Sequence, residues 1–339
     1  MSRNEATAAI AVAAITVGAA LYEGFNLVAD LVETGEERTT ADQIEEQLVE
    51  VDVTGAYWTP VDLPVQDEER WIAFAGTGGP DSIGSAREVL EFLPPEASVK
   101  RSAGIIYSPR GISIQKIGQL IGSFTTDVGH RRVKIVAASK GGQESLRALA
   151  EMSDPPFVEL FVGVGCPFNI NDLPPRVRRV VQLAVESDML GDDQQAYLVN
   201  LGQEIRKELE STESSTQSRR NLWRQAWKIA TRSALETWEG QGRLYRDGAK
   251  IVGETNTAEV MQQLADRGVI TEETKFVYLG SLPGLDGTVM VDSASRHYES
   301  EVRELGAWFL SLLFNGGHAE VPVALQELRR YIEGSRKPV

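Results

Sequence analysis

From Arg70 onward the chain alternates short apolar runs with longer segments whose apolar residues recur every three to four positions. That alternation is the pattern of a mostly parallel sheet covered by helices. Strands are expected over residues 71–75, 103–107, 133–138, 157–164, 275–279 and 308–314. Helices are expected over 112–124, 143–152, 293–304 and 321–332, the first with Ile114, Ile117, Leu120, Ile121 and Phe124 along one face.

The alternation stops after residue 164 for about a hundred positions and resumes at 275. Residues 173–272 read as helical and polar, with a Ser/Thr-rich stretch at 211–218 and no self-similar period that would mark a repeat array. The expected organisation is one sheet domain in two parts, 70–172 and 273–339, interrupted by a helical insertion over 173–272. Within the insertion Trp223 and Trp227 stand four apart, the spacing of a packing ridge on one helix face.

Ahead of the sheet, residues 26–69 read as a helical lead-in. Ile44, Leu48 and Val51 lie at the spacing of one face of a surface helix over 39–51. Residues 6–22 hold no charge, enough for a short membrane span, although their alanines contribute little to insertion. A membrane anchor within 1–25, a cleaved signal peptide and an apolar helix docked on the fold all fit. Arg3 before the segment and Asp30, Glu33, Glu36 and Glu37 after it favour a single-pass anchor with the folded domain outside the cytoplasm. A secreted or a cytoplasmic protein is the alternative.

Composition narrows the function classes. The 339 residues are 42% apolar and 24% charged, which suits a folded domain. A net charge of −15, with no basic run, excludes a nucleic-acid partner. The lone Cys166 cannot form an intramolecular disulfide and has no companions for a zinc cluster. No cofactor and no metal is expected.

The candidate chemistry begins at Ser139, in the run Ala137-Ala138-Ser139-Lys140-Gly141-Gly142. A strand ends there and a helix begins with almost no run-up, so the residues two before and two after the serine must be small; Ala137 and Gly141 are. Such a turn lifts the hydroxyl clear of the sheet, beside the positive end of the following helix. A serine hydroxyl needs a base, and the base an orienting group. Of the three histidines, His318 lies in a glycine-rich loop after the last strand, at the sheet edge where ligands gather. His130 precedes the Ser139 strand, and His297 falls within a helical pattern as a surface residue. For the orienting carboxylate, Asp286 sits in a turn beyond the 275–279 strand and is favoured over Asp292, which reads as the N-cap of the next helix. Gly76-Thr77-Gly78-Gly79 follows the first strand without bulky side chains. The Thr77 and Lys140 N–H groups are therefore the expected oxyanion donors.

In this order, Gly-Thr77-Gly-Gly, Ala-Ala-Ser139-Lys-Gly-Gly, Asp286-Gly-Thr-Val and Gly-Gly-His318-Ala, the chain resembles the α/β-hydrolase family over about residues 70–335. The resemblance implies a central sheet with helices on both faces, a helical cap inserted in it, and a Ser139–His318–Asp286 triad. Ala137 in place of the usual glycine and Ala75 in place of a frequent histidine depart from the family pattern. The expected activity is cleavage of a carboxylic ester, lipid-like if residues 6–22 anchor the chain, through an acyl-enzyme. A small-molecule ester is then the partner, with the insertion as an acyl-binding lid. A non-catalytic binding protein on the same scaffold, at the membrane, is the alternative.

Overall fold

The structure, a computed structural model, describes residues 47–51, 71–74, 76, 102–108, 111–125, 132–186, 195–202, 204, 227–233 and 241–335. These fall into two compact units: one holds the sheet, the other the described part of Pro175–Gly253 with Ser108, Gly111 and Ile112.

The sheet has seven strands among the described residues: β1 (Gln47–Val51), β2 (Trp71–Phe74), β3 (Ser102–Ile106), β4 (Arg132–Ala138), β5 (Phe157–Val164), β6 (Lys275–Ser281) and β7 (Trp308–Phe314). Their spatial order is β1-β3-β2-β4-β5-β6-β7. Strands β2 to β7 run parallel, and β1 pairs antiparallel with β3 at the edge. The chain runs outward from β2 to β3 and then returns to the other side of β2 with β4. This reversal makes β2/β4 the topological switch point, the place at the carboxyl ends of the strands where open parallel sheets bind their ligands.

The helices of this unit are α1 (Ile114–Thr125), α2 (Gly141–Glu151), α5 (Thr257–Asp266), α6 (Val291–Glu304) and α7 (Val321–Ser335), while α3 (Pro175–Glu186) and α4 (Gln241–Glu254) fall largely in the other unit. Period-two alternation sends Trp71, Ala73, Val136, Ala138, Val162, Val164, Val277 and Leu279 to one face of the sheet. There they pack with Val321, Ala324, Leu325 and Leu328 of α7. The opposite face carries Phe161 against Phe276 and Tyr278 against Tyr298 of α6. Ser295 of α6 also hydrogen-bonds Ser311 of β7 there, at 2.8 Å. Helices therefore cover both faces, and β4 to β6 are apolar on both sides because neither face meets water.

In the other unit α3 and α4 cross closely at Gly253, where a Cβ would stand 2.6 Å from Val185 Cγ2. Asp247 of α4 receives the Ile112 N–H at 2.8 Å and the Arg246 guanidinium at 2.6 Å.

Three expectations need correction. The expected surface helix over 39–51 is overturned at its described end, where Gln47–Val51 form strand β1, because the open edge of β3 offers a ladder of backbone partners that outweighs local helical spacing; residues 39–46 lie outside the described residues. Asp292 is not a helix N-cap: α6 begins at Val291, its N-cap is Met290, and Asp292 lies exposed in the first turn. Trp227 is 55% exposed rather than packed in a ridge, since its helix buries the Ile229, Ala230 and Ser233 face instead. Residues 6–22, Thr77, His130 and Trp223 lie outside the described residues. Among the described residues no helix is long and apolar enough to cross a membrane.

Candidate functional site

Ser139 occupies the turn between β4 and α2 with φ +51°, a left-handed conformation rare for a side chain with a Cβ. Its strain, about 1–2 kcal/mol for an L-residue, persists because the flanking backbone is pinned. The Ser139 N–H donates to Val164 O of β5 at 2.9 Å, and Ser139 O accepts from Gly142 N–H at 3.2 Å. Small neighbours make the turn fit. A Cβ on Gly142 would stand 2.8 Å from Cys166 Sγ, and one on Gly76 would stand 3.3 Å from Ser139 Cβ. The first glycine lets α2 seat on the loop after β5. The second lets the loop after β2 approach the serine.

His318 lies in the turn after β7, held by a hydrogen bond from Ser281 Oγ to Gly317 O at 2.8 Å. Its Nε2 is 2.9 Å from Ser139 Oγ and its Nδ1 is 2.9 Å from Asp286 Oδ2. The approach depends on Gly165, at φ +57°, whose missing Cβ would stand 3.3 Å from His318 Nδ1 and from Ala319 N. Asp286 follows β6. Its second oxygen, Oδ1, accepts the N–H groups of Thr288 at 2.7 Å and Val289 at 2.8 Å, so the carboxylate is fixed in plane and orientation. Burial pushes the Asp286 carboxyl up, but the His318 hydrogen bond and charge, with the two backbone donors, outweigh it and hold the group below its ordinary value. The structure thus brings together Ser139, His318 and Asp286 from three separate loops at the carboxyl edge. Asp292, the other candidate, faces solvent.

Lys140 supplies the N-cap of α2 with its backbone, while its side chain is buried rather than offered to the site. The ammonium pairs with Glu144 and lies 4.1 Å from the centroid of the Tyr107 ring. The Tyr107 hydroxyl donates to the other Glu144 oxygen at 2.5 Å. The i,i+4 spacing of Lys140 and Glu144 is visible in the sequence, but nothing there points to Tyr107 as the third member.

Sequence reasoning also missed Asp172. This fully buried carboxylate accepts the Phe168 and Asn169 N–H groups on one oxygen and meets Ser293 Oγ at 2.7 Å and His297 Nδ1 at 2.8 Å on the other. Asp172 O also receives the Met290 N–H, which ties the loop after β5 to the start of α6 and so to the segment carrying Asp286. The Asn169-x-x-Asp172 capping box was the available signal. His297, expected as a surface residue, is partly exposed but engaged. Cys166 is buried, and burial pushes its thiol up to about 12, against smaller opposing help from the backbone.

No known family profile and no curated protein matches the chain. Among solved structures, it is similar to an ancestral haloalkane dehalogenase at 13% identity and TM-score 0.50, over 86% of this chain and 94% of that one. It also aligns with a hydrolase from Oleispira antarctica at 10% identity and TM-score 0.46, covering 89% and 97% of the two chains. A carboxylesterase from the thaumarchaeon Nitrososphaera gargenis aligns at 12% identity and TM-score 0.47, over 86% and 93%. The sheet order, the strained serine turn and the haloalkane dehalogenase likeness together define the fold as that of the α/β-hydrolases.

Proposed function

We propose that the chain is a serine hydrolase that cleaves a carboxylic ester through an acyl-enzyme on Ser139. The observation that carries this reading is the continuous chain from Ser139 Oγ through the His318 ring to Asp286, with both links at 2.9 Å. Ser139 Oγ attacks the carbonyl carbon as its proton passes to His318 Nε2, and the carbonyl π-electrons move onto oxygen. Lys140 and Thr77 N–H groups receive that oxyanion. As it collapses, the bond to the alcohol oxygen breaks and His318 returns the proton to the leaving alkoxide. Water then attacks the acyl carbon, gives a proton to His318, and Ser139 leaves with that proton restored. Asp286 holds the His318 tautomer that keeps Nε2 open to the serine.

An apolar acyl group suits the surroundings. Leu282, Leu285 and Met290, all exposed, bracket Asp286 on its loop. Exposed apolar side chains on the loop that carries Asp286 support a lipid-like ester. With residues 6–22 as a single-pass anchor, the site would work at a membrane surface outside the cytoplasm; release of the full chain by carbonate without detergent would reject the anchor.

A fluorophosphonate probe on the purified chain tests the chemistry. The expected result is stoichiometric labelling that disappears in Ser139→Ala, followed by turnover of p-nitrophenyl esters that rises with acyl length. Absent labelling, or labelling that survives Ser139→Ala, would leave the non-catalytic binding protein as the reading.

A further inference from the structure

We infer that the buried Lys140–Glu144–Tyr107 cluster is a positioning clamp that holds the Lys140 backbone N–H on the substrate oxyanion; this rests on the serine-hydrolase reading above. Three observations meet here. Lys140 directly follows the strained Ser139, so any rotation of its backbone moves both the nucleophile and the N–H beside it. Its side chain is nearly sealed from water, and so are Glu144 and Tyr107. The cluster also ties the serine turn to a distant element: Glu144 lies one turn into α2, the helix that begins at the serine turn, whereas Tyr107 directly follows β3, two strands from β4.

The chemistry favours a clamp over a plain packing residue. An apolar side chain after the serine would fill the space without burying charge. An ammonium and a carboxylate taken out of water lose solvation, and a buried pair of this kind often contributes little net stability compared with apolar residues. What such a pair does provide is geometry. The ammonium meets one Glu144 oxygen and lies 4.1 Å from the centroid of the Tyr107 ring, while the Tyr107 hydroxyl holds the other Glu144 oxygen at 2.5 Å. Few rotamers of Lys140 satisfy the carboxylate and the ring together. The side chain therefore restrains its own backbone. The same pairing keeps the ammonium from reaching the oxyanion directly, so the contribution falls on the orientation of the N–H. Because that donor acts on charge that develops in the transition state, its misplacement lowers kcat more than it raises KM.

The experiment compares wild type, Lys140→Met, Lys140→Arg and Tyr107→Phe as full-length chains, by fluorophosphonate labelling rate, by kcat and KM on p-nitrophenyl butyrate, and by thermal melting. Lys140→Met removes the charge at similar length and should lower the labelling rate and kcat by about ten- to a hundredfold with KM nearly unchanged. Lys140→Arg, which can still pair with Glu144 and lie against the ring, should recover most of that loss. Tyr107→Phe keeps the ring and deletes only the hydroxyl donor. It should lower kcat several-fold, and it carries the test if Lys140→Met fails to fold. Wild type that labels while Lys140→Met or Tyr107→Phe labels and turns over at the wild-type rate overturns the clamp alone, as does a melting-temperature loss with kcat intact. Wild type that does not label overturns the hydrolase reading and the clamp with it.

Discussion

Gly165 and His318 are fitted to each other: the glycine sits at φ +57° directly after β5, and a Cβ there would stand 3.3 Å from the imidazole Nδ1 that faces Asp286. The Gly165 N–H also donates to Leu279 O at 2.8 Å, so the β5 loop is tied to β6 just where the His318 loop comes down on it. Gly165→Ala should therefore do two things at once. The left-handed backbone costs about 1–2 kcal/mol with a Cβ present, readable as a lower midpoint in urea unfolding. The crowded imidazole should also shift from the Ser139–Asp286 line and lower kcat for the proposed ester hydrolysis by about tenfold or more. Unchanged kcat in a destabilised variant would show that the loop absorbs the methyl group without moving His318.

Asp286→Asn should cut kcat by about three to four orders of magnitude, because the amide can present N–H to the imidazole and favour the wrong tautomer. Asp292→Asn should change kcat less than about twofold, since the exposed Asp292 touches neither His318 nor Ser139. Steady-state kinetics on the same ester compares them. Equal losses would remove Asp286 from the proposed role.

Stability should depend on pH through the same carboxylate. The Asp286 carboxyl is held below its ordinary 3.8 in the folded chain. A group lowered on folding binds fewer protons folded than unfolded, so its contribution is fully present above the unfolded-state value and is lost as pH falls through the folded one. Urea unfolding of wild type and Asp286→Asn should therefore differ most near neutral pH, with the difference shrinking below about pH 4. A difference that grows on acidification would contradict this sign.

Cys166 should be inert in the native chain. Its thiol is buried and pushed up to about 12, with Sγ 3.3 Å from Ala137 O. Iodoacetamide at pH 8 should leave it unmodified until denaturant is added, as mass spectrometry would report. Rapid native alkylation would mean that α2 and the β5 loop separate at Gly142 far more readily than their packing implies.

Much of this architecture was legible in the residues because its determinants are local. Strands β4 to β7 are short apolar runs of β-branched and aromatic residues, and α1 and α7 carry apolar stripes at helical spacing; these patterns survive folding because burial rewards the same faces they mark. The Ser139 turn was legible too, since a strand entering a helix across Ser-Lys-Gly-Gly leaves few backbone solutions. Strand β1 was not, because an edge strand takes its conformation from a partner more than fifty residues away and carries no period of its own.

The sequence by itself therefore determined the alternating strands and helices, the serine turn and the short list of ionisable groups able to serve it. Only the tertiary structure decided which carboxylate meets His318, that Lys140 turns inward to Glu144 and Tyr107, and that Asp172 ties the β5 loop to α6. Each of those relationships joins loops or elements from different strands of the sheet, and hydrogen-bond partnership across such distances is set by strand order and register rather than by spacing along the chain.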